Sequence, residues 1–273
     1  AHTAEKQAGV KLIVGAEVTP VDAPPVVLLA TDRTAYAALC RLLTLGKRRA
    51  EKGSCHLLFA DLALDTPGLL ACVPLVERQR IVTPSAKMKA AKMKAADVEA
   101  AAWQQSEQLV QGAALNAYRE LFGDRAYALA ELHCGPDDRA RLEAMRHLAE
   151  RARLPLAAAG DVHYHTPARQ PLADVLCAVR WGCTVAEAAG RLFTNAERHL
   201  KSPREMERTF AACPDAVART LEIAGRCHFS LDELCYEYPE ELAPAGETPL
   251  EYRRRQTWSG ARERYPHGIP DKV

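Results

Sequence analysis

The chain has 273 residues, 48% of them hydrophobic, a formal net charge of +1 and nine cysteines. That length supports one large hydrophobic core, or one core with a smaller companion. The absence of an apolar run near about 18 residues excludes a membrane-spanning helix, and no signal-peptide pattern is present. The near-zero charge excludes a global electrostatic attraction to nucleic acid. Cysteines that are odd in number, scattered and never spaced C-x-x-C argue against a disulfide framework or structural zinc, and fit reduced thiols in a cytoplasmic protein.

Residues 1–9 read as the end of a helix closed by Gly9. The apolar run over residues 11–15 then predicts a strand ending in Gly15, with the carboxylate of Glu17 two residues beyond it. After Pro24-Pro25 a second strand is expected over 26–30 and a helix over 33–46. Further strands are expected near 69–73, 127–132 and 155–159, with helices near 97–121 and 137–152. This alternation implies a parallel sheet with functional residues at the C-terminal ends of its strands. Glu17 fits such a place, and equally fits a helix N-cap or a surface carboxylate.

Within this series, Ala86-Lys87-Met88-Lys89-Ala90 is followed by Ala91-Lys92-Met93-Lys94-Ala95, a near-perfect five-residue tandem repeat. Its composition favours helix, yet a hydrophobic period of five fits no packed face, so it reads as a surface insertion. The basic triplets Lys47-Arg48-Arg49 and Arg253-Arg254-Arg255 read as solvated clusters, with phosphate contact as the alternative.

The strand expected at 155–159 runs into Gly160-Asp161-Val162-His163-Tyr164-His165. Strand alternation would place Asp161, His163 and His165 on one side. A carboxylate and an imidazole two residues apart suit zinc or manganese, both served by oxygen and nitrogen donors. A polar loop lined by histidines is the alternative at this point. Beyond residue 170 the pattern turns helical over 172–180, 203–209 and 215–227, and from Phe229 it becomes proline-punctuated.

Several long segments, in order, carry a resemblance. They are residues 11–18 (KLIVGAEV), 26–48, 130–142 (AELHCGPDDRARL), 154–180 and 226–242. Together they resemble the bacterial C-family DNA polymerases, and within them the error-prone, damage-inducible paralogue of the replicative alpha subunit. The similarity runs from about residue 1 to residue 273, apart from a poorly matching stretch near 84–112.

The resemblance implies an α/β fold: a partial PHP (polymerase and histidinol phosphatase) domain, a distorted β/α barrel, over 1–170. A helical segment completing that region over 171–230 and a connector toward a polymerase palm over 231–273 would follow. It implies a metal cluster, of zinc or manganese, at Glu17, His133, Asp161 and His163, with Cys134 as the neighbouring candidate to His133. Pro25 stands where many relatives have a histidine, so the cluster is expected to be degenerate. The opening His-x-His strand, the palm motif and its magnesium-binding aspartates have no counterpart, which marks the chain as a fragment unable to polymerise DNA alone. DNA, dNTPs and other replication or mutagenesis proteins are the implied partners of the parent protein, with no membrane.

The implied parent function is damage-induced mutagenesis and translesion DNA synthesis, with this module as a scaffold. A metal-dependent phosphoesterase or proofreading nuclease is the alternative, and a stand-alone histidinol-phosphatase-like enzyme a weaker one. Three structural expectations follow. Glu17, Asp161 and His163 should converge within about 4–8 Å, a span one or two metals can bridge. A domain boundary should fall near 168–175. The strand at 11–15 should lie at a sheet edge, with Leu12, Ile13 and Val14 less covered than the strand at 26–30.

Overall fold

In the computed structural model, which describes residues 2–64, 66–75, 112–234, 243–244, 246–268 and 270, the protein is a mixed α/β structure around an open five-stranded sheet. The tandem repeat at 86–95, most of the 84–112 stretch and the first part of the helix expected over 97–121 lie outside the described residues. The strands are β1 (Gly15–Val18), β2 (Val26–Ala30), β3 (Leu69–Pro74), β4 (Ala126–Glu131) and β5 (Leu156–Ala159), adjacent in that order. The helices are α1 (His2–Ala8), α2 (Arg33–Arg48), α3 (Phe59–Leu64), α4 (112–122), α5 (Asp138–Ala152), α6 (Gln170–Trp181), α7 (Pro203–Thr209), α8 (Pro214–Arg226) and α9 (Pro249–Arg264).

The sheet is only half parallel. β3, β4 and β5 run parallel, as expected of strands joined through α4 and α5, but β2 runs antiparallel to both β1 and β3. The segment between β1 and β2 is too short for a crossover, which needs a dozen or more residues, so the chain turns back as a hairpin. Between β2 and β3 the chain crosses the sheet twice. Asp32 caps α2, its Oδ1 accepting from Ala35 N at 2.8 Å. At the far end of that helix the Leu57 carbonyl accepts from Val21 N, and Phe59 N donates to Asp22 Oδ1. α3 then leads back to Gly68, whose carbonyl accepts from Thr31 Oγ1 at 2.6 Å. Two helical passes return the chain to the end it left, and β3 descends antiparallel.

Alternation along the strands produces two buried faces. Val26, Leu28, Ala30, Leu69, Ala71, Val73, Ala126, Ala128 and Ala130 join residues of α2, α4 and α5 in the main core. On the other face Leu70, Cys72, Tyr127 and Ala157 pack against Ile223 and Cys227. Tyr127 anchors α8 by donating to Glu222 Oε1 and accepting from Arg226 Nη1, each at 2.8 Å. Burial raises the Cys72 thiol to about 12, so it is an inert core sulfur.

The first strand forms at Gly15–Val18, four residues later than the sequence predicts. It pairs with β2 alone among the described strands, and Gly15 suits the close approach: a Cβ there would stand 2.6 Å from the Leu28 carbonyl oxygen. Leu12, Ile13 and Val14 are half-buried, whereas Val26, Leu28 and Ala30 are buried.

The chain divides into two compact units, Ala1–Leu231 and Asp232–Val273. No division falls at 168–175, because Phe210, Ala216 and Phe229 belong to the same core as the sheet. In the second unit, Thr248 and Glu251 form a capping box at the start of α9. No described helix is long and apolar enough to cross a membrane.

The difference between centre and edge is measurable. Leu28→Ala should cost about 2–5 kcal/mol in a urea denaturation series, and Val14→Ala about 1 kcal/mol or less. Equal losses would show that the edge is as tightly packed as the centre.

Candidate metal centre

β4 and β5 are parallel neighbours, so their C-terminal ends deliver side chains to a shared rim. β4 ends at Glu131, paired in register with Ala159 at the end of β5. His133 follows Glu131 by two residues, and Cys134 then takes a left-handed backbone, φ 52°. That turn sends Cys134 away from His133, and its thiol donates to Glu197 Oε2 at 3.3 Å. Beyond the neighbouring strand β5, Gly160 leads to Asp161, also left-handed at φ 43°. A non-glycine residue seldom adopts this conformation, and here the turn ends the strand and brings the carboxylate to the end of β4.

The result is a group of three potential ligands, Glu131, His133 and Asp161, with donor atoms all within 4.8 Å of one another. Glu131 is 1% exposed and His133 6%. The ring of His133 bonds the backbone of Gly160, while its Nε2 is buried without a hydrogen-bond partner. The bonded nitrogen is therefore Nδ1, donating to a carbonyl, as metal-bound histidines commonly do. Burial first, and then the nearby Arg198 charge, lower the His133 pKa to about 4. The imidazole is neutral at pH 7, with its Nε2 lone pair beside two carboxylates.

This donor set fits a divalent cation. One neutral nitrogen and two carboxylates suit zinc or manganese, while the buried Glu131 and partly buried Asp161 carboxylates would repel each other without a cation. The buried, unpartnered Nε2 is the observation that makes the fit specific, since buried polar atoms ordinarily have partners.

The loop over 193–201 covers the group. Arg198 Nε donates to Asp161 Oδ2 at 3.0 Å, and its guanidinium lies 3.9 Å from the centroid of the Phe193 ring. The Arg198 carbonyl accepts from His163 N at 2.9 Å, and Asn195 Nδ2 donates to the His133 carbonyl at 2.6 Å. Lys201, with its side chain 5% exposed, pairs with Glu197 Oε2 at 3.4 Å.

Of the four residues expected from the sequence, His133 and Asp161 meet in the group. His163 stands at its border: Nε2 lies 3.4 Å from Asp161 Oδ1, the side chain is 38% exposed, and the ring packs against Phe193. The left-handed turn at Asp161 breaks the strand alternation that would have aligned Asp161, His163 and His165. Glu17 lies outside the group. It pairs with Val27, which pairs with Cys72, which pairs with Tyr127. Its row therefore crosses β4 four residues before Glu131, about 13 Å along the strand and three strands away. Glu131 was not singled out in the sequence, although the spacing Glu131-x-His133 repeats that of Asp161-x-His163. Arg198 and Phe193 carry no local signal, because only the tertiary fold brings their loop over β5.

The depressed His133 pKa has a consequence for stability. The unfolded chain takes up a proton near pH 6.5 and the folded chain only near 4, so stability should fall as the pH drops through that window. His133→Gln should flatten this part of the urea-midpoint profile. A variant with the same slope as wild type would remove His133 as its cause.

No model of a known protein family matches the chain. Among curated proteins it is 42% identical over 268 residues to the error-prone DNA polymerase of Rhodopirellula baltica, covering 98% of this chain and 22% of that protein. It is 40% identical over 273 residues to that of Dechloromonas aromatica, covering 100% of this chain and 24% of the relative. It is 44% identical over 264 residues to that of Aromatoleum aromaticum, covering 95% and 22%. The chain thus spans less than a quarter of the length of these relatives, with a similarity that runs along nearly all of it.

Proposed function

We propose that this chain is the PHP portion of an error-prone DNA polymerase. In this reading it is a structural scaffold that holds one divalent ion at Glu131, His133 and Asp161 and has no polymerase activity of its own. The observation that carries the reading is about 40% identity to proteins of that name along nearly the whole chain. Within the parent protein we assign DNA and dNTP binding, and the magnesium-dependent synthesis of damage-induced mutagenesis and translesion replication, to other segments. The palm motif that such chemistry requires is not among these 273 residues.

The scaffold reading follows from the state of the centre. When bound, a divalent ion at such a site polarises a phosphate oxygen and acidifies a bound water. The chain itself supplies three clustered ligands, one of which, Asp161, is also engaged by Arg198. His163 remains exposed beside Asp161 and is placed to meet a ligand entering from solvent. The second reading, a metal-dependent phosphoesterase or proofreading nuclease, is favoured by the unpartnered Nε2 of His133.

Purified chain should bind manganese or zinc, and His133→Ala should weaken that binding by roughly 100-fold or more. Glu17→Ala should leave it unchanged, and a matching loss there would restore Glu17 to the ligand set. With manganese present, the chain should neither extend a primer nor shorten single-stranded DNA faster than its Asp161→Asn variant. Cleavage that Asp161→Asn abolishes would replace the scaffold with the nuclease.

A further inference from the structure

We propose that Arg198 is an internal countercharge that limits the centre to a single divalent ion and sets how tightly that ion is held. This inference rests on the metal reading of Glu131, His133 and Asp161, and it concerns a residue outside that ligand set.

Arg198 is fixed at several points. Its Nε donates to Asp161 Oδ2 at 3.0 Å, its guanidinium stacks on Phe193, and its carbonyl accepts the His163 N–H. Its side chain is 18% exposed. A guanidinium cannot shed its proton in a protein, so a permanent positive charge stands against one carboxylate of the centre. A metal-ligating imidazole is uncharged, and Glu131 and Asp161 when ionised contribute two negative charges. With Arg198 the group carries one negative charge, which a single divalent ion turns into one positive charge. A second ion would leave three positive charges in a half-buried site, and it would have to displace the guanidinium from Asp161 Oδ2. The other buried cation in this loop, Lys201, is paired with Glu197 and adds little net charge.

Arg198 has a competing role that predicts the opposite sign. If its purpose were to hold the left-handed turn at Asp161 in the geometry for binding, its loss would weaken the metal site. Gln at this position retains an N–H donor and removes the charge, whereas Lys retains the charge and loses the fork, so the two variants separate the roles.

The test is equilibrium dialysis of the full chain against manganese and zinc chloride, with bound metal counted by mass spectrometry and affinity measured by calorimetry. Wild type should saturate at one ion per chain. Arg198→Gln should bind roughly tenfold tighter or more, and Arg198→Lys should stay within about threefold of wild type. Weaker binding by Arg198→Gln would overturn the proposal and make Arg198 a positioning residue, and unchanged binding would overturn it without giving Arg198 that role. Two ions in wild type, or a tenfold gain in Arg198→Lys, would also overturn it. The lysine variant keeps the proposal testable if the glutamine variant fails to fold, which thermal melts in EDTA would reveal. If wild type and Arg198→Gln both fail to bind metal, the metal reading falls and takes this proposal with it. Equal binding by the two leaves the metal reading standing and removes only the role of Arg198.

Discussion

Two carboxylates and an imidazole, drawn together and largely out of solvent at one end of a sheet, need a positive charge among them. Glu131, His133 and Asp161 impose that constraint here, and the surrounding structure is organised to meet it. Burial keeps His133 neutral, so the imidazole cannot supply the charge itself. The Gly160 backbone holds one ring nitrogen and leaves the other aimed into the group. The loop at 193–201 brings one arginine to one oxygen of Asp161, which offsets half of the negative charge. What remains is a site matched in charge and donor type to a divalent cation.

The fold produces this cluster through strand direction. Only parallel neighbours joined by a helix present their C-terminal ends side by side, and β4 and β5 are such a pair, joined through α5. Small residues make the close fit possible: alanines at 126, 128, 130, 157 and 158 are buried between the helices and the sheet. α8 covers the opposite face through Ile223 and Cys227, held by the bonds of Tyr127 to Glu222 and Arg226. The helical segment beyond residue 170 is thus part of the same core as the sheet.

Much of this was legible in the residues themselves. The strands at 26–30, 69–74, 126–131 and 156–159 and the helices at 33–48 and 138–152 lie within a few residues of their expected places. Their apolar runs, and caps such as Asp32, are local signals. The antiparallel run of β2 was not legible, because it depends on where α2 and α3 return the chain. Nor was the separation of Glu17 from the other ligands, which follows from strand register across four strands. Asp161 stood out by its spacing to His163 at the end of a strand, whereas His133 came from the resemblance alone. Glu131 was overlooked because a buried glutamate at a strand end looks like any surface carboxylate until its neighbours are placed. The turn at Asp161 was invisible because aspartate reaches a left-handed backbone without any sequence mark that glycine would leave.

The central claim is that one metal ion sits among these three side chains. It is tested most directly by growing crystals of the chain with zinc and collecting anomalous diffraction on either side of the zinc absorption edge. The account predicts one anomalous peak per chain, about 2.0–2.2 Å from His133 Nε2 and from a carboxylate oxygen of each of Glu131 and Asp161. A zinc-saturated crystal with no peak at this position, or with its peak at Glu17, would contradict it.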